Sequence, residues 1–437
     1  MTIYLGLGAN DGDRIDNLER AIDALRAAGF RLQQVSPVVE SPAMLPAGAE
    51  PDWHQPYLNL VVSGDADWRP QQGLNIVKRI ERDLGRAPGP RWSPRPIDID
   101  LLRWHERRTD DARLTLPHRG LPQRDFVLTP LLHLQPDLPA GENGESVFEL
   151  TQRVRPIPLW MAVVNLTPDS FSDGGEWQDM DALDAYIDKL IDRHVQIIDV
   201  GAESTRPGGA TIEAADEWAR LEPALARIAE RLQGRSIRPW LSLDSRHPTV
   251  VSNALRYGVD LINDVTGLRD PGMQSVARDS GCQVAAMHSL SVPVVAGEQL
   301  PDEPNATRQI IEWAEQRMET WAAAGLDLNR IILDPGIGFG KSAIQAFDIL
   351  SHCRELRGAG LRILIGHSRK SFMRGMSGDR PAAHLDIETL GMALALCRQG
   401  VDIIRVHAPF IHMRAHLAWA HLAATHTTDA RADERAG

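Results

Sequence analysis

Ile197–Gly209 reads IIDVGAESTRPGG. A short apolar run ends around Asp199 and opens into small and polar residues, the texture of a buried parallel strand running into a loop. The same texture recurs at Leu159–Asn165, Trp240–Asp244, Leu261–Asp264, Gln283–Met287, Ile331–Asp334, Ile363–Gly366 and Ile403–Val406, each followed by a helical stretch. Eight such units in about 270 residues are what a TIM (β/α)8 barrel needs. Each strand also ends in or just before a polar residue: Asn165, Asp199, Asp244, Asn263, His288, Asp334, Ser368 and His407. In a TIM barrel those ends converge on the catalytic face. Polarity of strand ends near water would account for two or three of them, not the set.

The first 150 or so residues lack this alternation. Strand-like runs at Ile3–Gly8, Leu32–Val39, Tyr57–Val62 and Ile97–Leu102 are interleaved with helical spacing over Asp16–Ala28 and at Leu74, Val77, Ile80 and Leu84. This order predicts a compact α+β layer, helices on a largely antiparallel sheet. The pattern breaks at PAGENG (Pro139–Gly144) and RPIP follows, so the boundary falls near residue 154. The expected organisation is a first domain over 1–153, a barrel over 154–425 and a disordered polar tail over 426–437.

Composition narrows the function. With 47 basic and 59 acidic side chains among 437 residues, the net charge of −12 disfavours nucleic-acid partners. Cys282, Cys353 and Cys397 are far apart and fit a reducing compartment. No signal peptide or membrane-length apolar run is visible, so a cytoplasmic protein without membrane attachment is expected. His412 and His416 stand at i, i+4 but lack a third ligand, and are expected to be core or surface histidines.

Two glycine-rich segments resemble nucleotide loops and fail on detail. GLGAND (Gly6–Asp11) lacks the last glycine of G-x-G-x-x-G, and GIGFGKS (Gly336–Ser342) has Pro335 where a P-loop needs its first glycine. GRAPGPRWSPRPIDIDLL (Gly85–Leu102) is more informative. Asp98 and Asp100 alternate on a strand, so both carboxylates face one way, a natural seat for Mg²⁺ on nucleotide phosphates. Arg86, Arg91 and Arg95 just upstream can stabilise a transferring phosphoryl group.

Together with QPYLN (Gln55–Asn59) and the Leu116–Phe126 segment, this stretch resembles 6-hydroxymethyl-7,8-dihydropterin pyrophosphokinase over about residues 1–150. The resemblance implies a ferredoxin-like fold, ATP as co-substrate and pyrophosphate transfer to the pterin hydroxymethyl group. It implies that Tyr57 and Phe126 sandwich the pterin, that Asn59 bonds its edge, and that Asp98 and Asp100 hold Mg²⁺. Arg86 and Arg95 would clamp phosphates, with Arg91, Trp92, His118 and Arg124 lining the ATP site. The family often has an arginine two residues after Arg86; Pro88 stands there in a shorter loop.

In the barrel, NLTPDSFSDGG (Asn165–Gly175), DVGAESTRPGG, LDPGIGFGK, GHSRKS and IIRVH follow or end successive strands. Together they resemble dihydropteroate synthase over about residues 155–425, implying condensation of dihydropterin pyrophosphate with p-aminobenzoate. By that resemblance Asp244, Asn263, Asp334 and Lys370 hold the pterin, with Asp199 and Met287 nearby. Asn165 would coordinate Mg²⁺ on the pyrophosphate, whose oxygens Arg405, His407, Thr205 and Arg206 would bind. Phe171, Pro207, Phe339 and Ser368 would shape the p-aminobenzoate pocket. Lys370 and Asp199 are the expected catalytic residues here, beside Arg86, Arg95, Asp98 and Asp100 in the first domain. The family's usual aspartate after R-V-H is Ala408, and the hairpin common before its first barrel strand is missing. A homodimer through the barrel is a further implication. A pterin-dependent methyltransferase barrel or a non-catalytic pterin-binding protein are the rival readings. The first would leave the first 150 residues unexplained, and the paired aspartates with Lys370 of SRKS argue against the second.

Overall fold

In the computed structural model the chain forms two compact units, Met1–Ile157 with Arg414–Gly437, and Pro158–Met413. The structure describes residues 1–90, 92–166, 180–203, 211–378 and 381–433.

The first unit runs β1 (Ile3–Ala9), α1 (Arg14–Ala27), β2 (Arg31–Val35), β3 (Val39–Ser41), β4 (Tyr57–Asp65), α2 (Pro70–Asp83) and β5 (Asp98–Trp104). The strands form an antiparallel sheet in the order β2-β4-β1-β5, with β3 also on β4. Order and connectivity are ferredoxin-like. The sequence suggested one strand over Leu32–Val39; the structure divides it at Ser36–Pro37. Proline cannot donate to a ladder, and the Ser36 Oγ accepts from the Val61 N–H at 2.9 Å beside the break. Asp13 caps α1 by accepting from the Asp16 N–H at 3.1 Å.

Alternation along β1 sets the two faces of this sheet. Ile3, Leu5 and Leu7 are buried on one. On the other, Tyr4 packs with Val61 and Leu102 against α3 (Asp125–Leu134) and α4 (Val147–Arg153), through Val127, Leu128, Leu131, Val147 and Leu150. Gly6 and Gly8 share the Tyr4 face and leave space there. Two two-residue strands, β6 (Thr109–Asp110) and β7 (Thr115–Leu116), pair as a small hairpin.

The second unit is a closed parallel barrel of β8 (Leu159–Asn165), β9 (Ile197–Gly201), β10 (Trp240–Asp244), β11 (Leu261–Asp264), β12 (Gln283–Met287), β13 (Ile331–Asp334), β14 (Arg362–Ile365) and β15 (Ile403–Val406). Continuous Ile, Val and Leu runs suit strands buried on both faces. β14 starts one residue earlier than its apolar run suggests, because Arg362 is itself buried. Its Nη2 donates to Gln283 Oε1 at 2.6 Å and to the Asn329 carbonyl at 2.7 Å. At the same N-terminal rim Arg357 and Asp402 form a fully buried ion pair at 3.0 Å. Asp402 also accepts from the Ile363 N–H at 2.8 Å. Polar bonding at this rim belongs to stability, whereas chemistry belongs to the opposite one.

The last helix spans Pro409–Asp433, so the backbone stays helical into the stretch expected as a disordered tail. That stretch is alanine-rich and free of proline, and its only glycine is the last residue; helix propensity carries the turn onward despite its polarity. His412 and His416 are both buried. Among the described residues no helix is long and apolar enough to cross a membrane.

Candidate active sites

Across the antiparallel β1–β5 pair, Gly8 faces Asp98 and Gly6 faces Asp100. The β5 sequence DIDLLRW buries Ile99 and leaves both aspartates partly open. A Cβ on Gly8 would stand 3.1 Å from Asn59 Oδ1 and 3.4 Å from the Tyr57 ring, so glycine keeps this floor low. The G-x-G of GLGAND thus lies within a strand as the bed of a cavity, which is why it does not behave as a dinucleotide loop.

That cavity measures about 360 Å³. Its lining includes Tyr57, Asn59 and Phe126, then Arg86, Trp92 and Arg95, and then Asp98, Asp100, His118 and Arg124. Every candidate named in the first unit is therefore brought to one place except Arg91, which lies outside the described residues. Tyr57 opens β4 and Phe126 is the second residue of α3; Asn59 is anchored by donating to Ser41 Oγ at 3.0 Å. Arg86 reaches Asp98 at 2.5 Å and Glu81 at 2.6 Å, and Arg95 lies 3.8 Å from Asp98. Arg124 lies 3.4 Å from Asp100, with His118 at 4.0 Å. Burial pushes the Asp98 carboxyl up, but Arg86, Lys78 and Arg95 outweigh it and leave it below the ordinary range. His118 is drawn below its ordinary value, chiefly by burial.

Two participants escaped the sequence reading. Glu81 accepts from Lys78 at 2.7 Å and from the Ile99 N–H at 2.8 Å, tying α2 to the aspartate strand and holding Arg86. A second cavity of about 320 Å³ shares Lys78, Asp100 and His118 with the first and adds the apolar Leu74, Ile99 and Leu114. Of the residues it adds, only Leu74 stood out in the sequence, as one position of the Leu74, Val77, Ile80 and Leu84 helix face.

At the C-terminal rim of the barrel, Arg405 on β15 donates through Nε to Asp199 Oδ2 at 2.6 Å and through Nη2 to Asp244 Oδ2 at 2.8 Å. Ser242 donates to Asp199 Oδ1 at 2.6 Å, and Asn263 Nδ2 lies 3.4 Å from both Asp199 oxygens. Four adjacent or facing strands thus meet in one network. Ser242 was missed, although period two on β10 places it on the Asp244 face. Burial raises the Asp244 carboxyl to about 7, against the pull of Arg405. Arg405 was expected on an anion; here carboxylates occupy two of its nitrogens.

The remaining candidates lie around the same rim. Met287 and Asp334 are register partners on β12 and β13. Asp334 Oδ1 accepts from the Gly336 N–H at 2.7 Å, and burial raises its carboxyl. Lys370 donates to the Ile337 carbonyl, and its Nζ sits 4.7 Å from the centre of the Phe339 ring. His407 Nδ1 meets Ser368 Oγ at 3.0 Å, and Asn165 ends β8. Phe171, Thr205, Arg206 and Pro207 lie outside the described residues.

A ferredoxin-like unit with paired carboxylates among arginines, followed by a barrel with a carboxylate–arginine–lysine rim, defines a phosphate-handling enzyme joined to an anion- and heterocycle-binding one. Comparison with known proteins makes this specific. Residues 4–136 match the family "7,8-dihydro-6-hydroxymethylpterin-pyrophosphokinase (HPPK)", and residues 161–407 match "Pterin binding enzyme". The folate synthesis bifunctional protein of Chlamydia caviae is 34% identical over 93% of this chain and 94% of its own length. Two solved dihydropteroate synthases superpose on the barrel. That of Xanthomonas albilineans, with 4-aminobenzoic acid, has a TM-score of 0.55 and 30% identity, covering 61% of this chain and 93% of its own. That of Yersinia pestis, in a sulfonamide complex, has a TM-score of 0.55 and 31% identity, covering 63% and 95%. The chain belongs to the family of bifunctional folate synthesis proteins. It is a bifunctional transferase of two consecutive steps, pyrophosphorylation of 6-hydroxymethyl-7,8-dihydropterin followed by dihydropteroate formation.

Proposed function

We propose that the first cavity binds the pterin between Tyr57 and Phe126, with Asn59 reading its edge, and that ATP lies alongside with its base toward the second cavity. A flat bicyclic ring favours aromatic faces, and Leu74, Ile99 and Leu114 offer an adenine an apolar bed. Asp98 and Asp100 suit Mg²⁺ because they form a pair rather than a cage: this ion keeps waters and takes phosphate oxygens besides one or two carboxylates. When bound, Mg²⁺ would neutralise phosphate charge between the two substrates. Arg86 and Arg95 would then turn from Asp98 toward the phosphates, with Arg91, Trp92, His118 and Arg124 around the nucleotide. The observation that carries this reading is the convergence of aromatic, carboxylate and arginine side chains on one cavity.

In the barrel, Asp244, Asn263, Asp334 and Lys370 hold the pterin, with Asp199 and Met287 beneath. The p-aminobenzoate nitrogen attacks the pterin methylene carbon, whose bond to the pyrophosphate oxygen breaks as the amine releases a proton. Thr205, Arg206, Arg405 and His407 take the growing negative charge of the leaving group, and Asn165 would hold a Mg²⁺ that, when bound, would neutralise part of it. Asp199 and Asp334 favour positive charge developing on the pterin. Phe171, Pro207, Phe339 and Ser368 form the p-aminobenzoate pocket, and sulfonamides compete there. The kinase half ends near residue 153. The enzyme works in the cytoplasm, a reading supported by three unpaired, buried cysteines, and assembles as a homodimer through the barrel. AMP release on adding ATP and hydroxymethyldihydropterin, then dihydropteroate formation on adding p-aminobenzoate, tests both halves. Absence of either product with the full chain sinks the corresponding half. Light scattering tests the dimer.

A further inference from the structure

The loop after β13, Gly336–Lys341, is bent by three left-handed glycines at φ of 67°, 82° and 72°. Such a loop does not hold one shape by itself, because glycine leaves the unfolded backbone its greatest freedom. Two lysines grip it from different sides. Lys370 donates to the Ile337 carbonyl and lies over the Phe339 ring. Lys341 does something else: its Nζ donates to the Phe339 carbonyl at 3.0 Å and to the His288 carbonyl at 2.9 Å, and meets His288 Nδ1 at 2.7 Å.

His288 is an anchored post. Its N–H donates to the Asp334 carbonyl at 2.8 Å, at the end of β13, and its ring packs edge-on against Trp313 at 5.0 Å between centres. A Cβ on Gly336 would stand 1.9 Å from the His288 carbonyl oxygen and 3.2 Å from Lys341 Nζ, so the loop lies flush against this post.

We propose that Lys341 is a positioning residue for the p-aminobenzoate side of the synthase: it pins the Phe339 backbone to His288 and thereby sets the Phe339 ring against Lys370. This rests on the reading of Phe339 as part of the p-aminobenzoate pocket. Lys341 itself touches neither substrate. Its bonds end on the Phe339 and His288 carbonyls and the His288 ring, and it acts on Asp334 through charge, so its loss should loosen one wall of the pocket more than it disturbs the pterin carboxylates.

The test uses the full chain and initial synthase rates, varying p-aminobenzoate at saturating dihydropterin pyrophosphate and then the reverse. Lys341→Met keeps the stem and removes the bonds. It should raise the KM for p-aminobenzoate and the sulfonamide Ki by about tenfold, the size expected when positioning hydrogen bonds are lost. The KM for the pterin substrate should stay within about twofold, below one hydrogen bond's worth of binding. An equal rise in both KM values, or none, overturns the inference. Phe339→Ala separates it from the pocket reading. If that variant leaves the p-aminobenzoate KM unchanged, the pocket reading fails and takes the inference with it. If it raises that KM while Lys341→Met is silent, the inference alone falls. Should Lys341→Met not fold, as judged by circular dichroism, His288→Ala removes the ring partner, with its packing on Trp313, and keeps the carbonyl bond to Lys341. It should show the same KM split at smaller size, and no split overturns the proposal.

Discussion

Replacing Arg405 by Gln removes the cation shared by two carboxylates, Asp199 at 2.6 Å and Asp244 at 2.8 Å. Asp199 is fully buried and, among the described residues, keeps only the Ser242 and Asn263 contacts. Breaking a buried pair by deleting one partner costs about 3–5 kcal/mol. For a domain of this size the lower figure corresponds to a fall in thermal midpoint of roughly 6–12 °C. The fall should depend on pH. In the folded enzyme the Asp244 carboxyl is raised to about 7, above its ordinary value. The native state therefore holds a proton that the unfolded chain has released, and stability declines as pH rises through that window. Without Arg405 the main influence lowering this pKa is gone, so the decline continues above pH 7 where the parent has levelled off. Calorimetry at pH 6 and pH 8 should show the larger deficit at pH 8. Synthase kcat/KM should fall on the order of 10²–10³-fold, as for loss of one preorganised charge-stabilising donor. Pyrophosphokinase activity should be unchanged. A deficit equal at both pH values, or larger at pH 6, would refute the assignment of Asp244 as the titrating partner.

Converting both Asp98 and Asp100 to Asn should abolish AMP release while synthase activity on supplied pterin pyrophosphate survives, because only the Mg²⁺ seat loses its charge; loss of both activities in a folded chain would show the site is misassigned. Lys370→Ala should weaken pterin binding to the barrel at least about tenfold in a direct titration, since buried polar partners lose their cation. Sulfonamide inhibition should be competitive with p-aminobenzoate, and inhibition competitive with ATP instead would contradict the pocket. Gly336→Ala places a Cβ 1.9 Å from a carbonyl oxygen at a φ of 67°, so the loop must shift and synthase turnover should drop about tenfold or more while kinase rates hold.

The barrel was legible because its signal is periodic and local. Each strand announces itself by an apolar run, and the residue that ends it is delivered to the catalytic rim by the fold alone. Asp98 and Asp100 were legible for a similar reason, since period two on a strand puts both on one face whatever packs against them. The break at Pro37 was harder to see: the apolar run continues through it, and only the missing N–H stops the ladder. Glu81 and Lys341 carried no local sign. Glu81 sits on a helix and earns its place by accepting from the Ile99 N–H on a strand 18 positions away. Lys341 meets His288 across 53 positions. Contacts of that range depend on how elements pack, which neither propensity nor spacing encodes.

The glycine motifs show the same limit from the other direction. Gly6 and Gly8 on one side, and Gly336, Gly338 and Gly340 on the other, both resembled nucleotide loops. In the structure the first pair lies in an extended strand, where the missing side chains make room for Leu102 beside Gly6 and for Tyr57 and Asn59 beside Gly8. The second set takes left-handed backbone angles and lets the loop lie against the His288 carbonyl. A glycine states only that a Cβ would be in the way or that φ must be positive. What approaches it, whether a phosphate, a side chain or another turn of backbone, is decided by the element on which it sits. A glycine motif therefore gains functional meaning only after the strands and helices around it are placed, and here placement turned two apparent phosphate cradles into the floor of one site and a loop packed at the rim of the other.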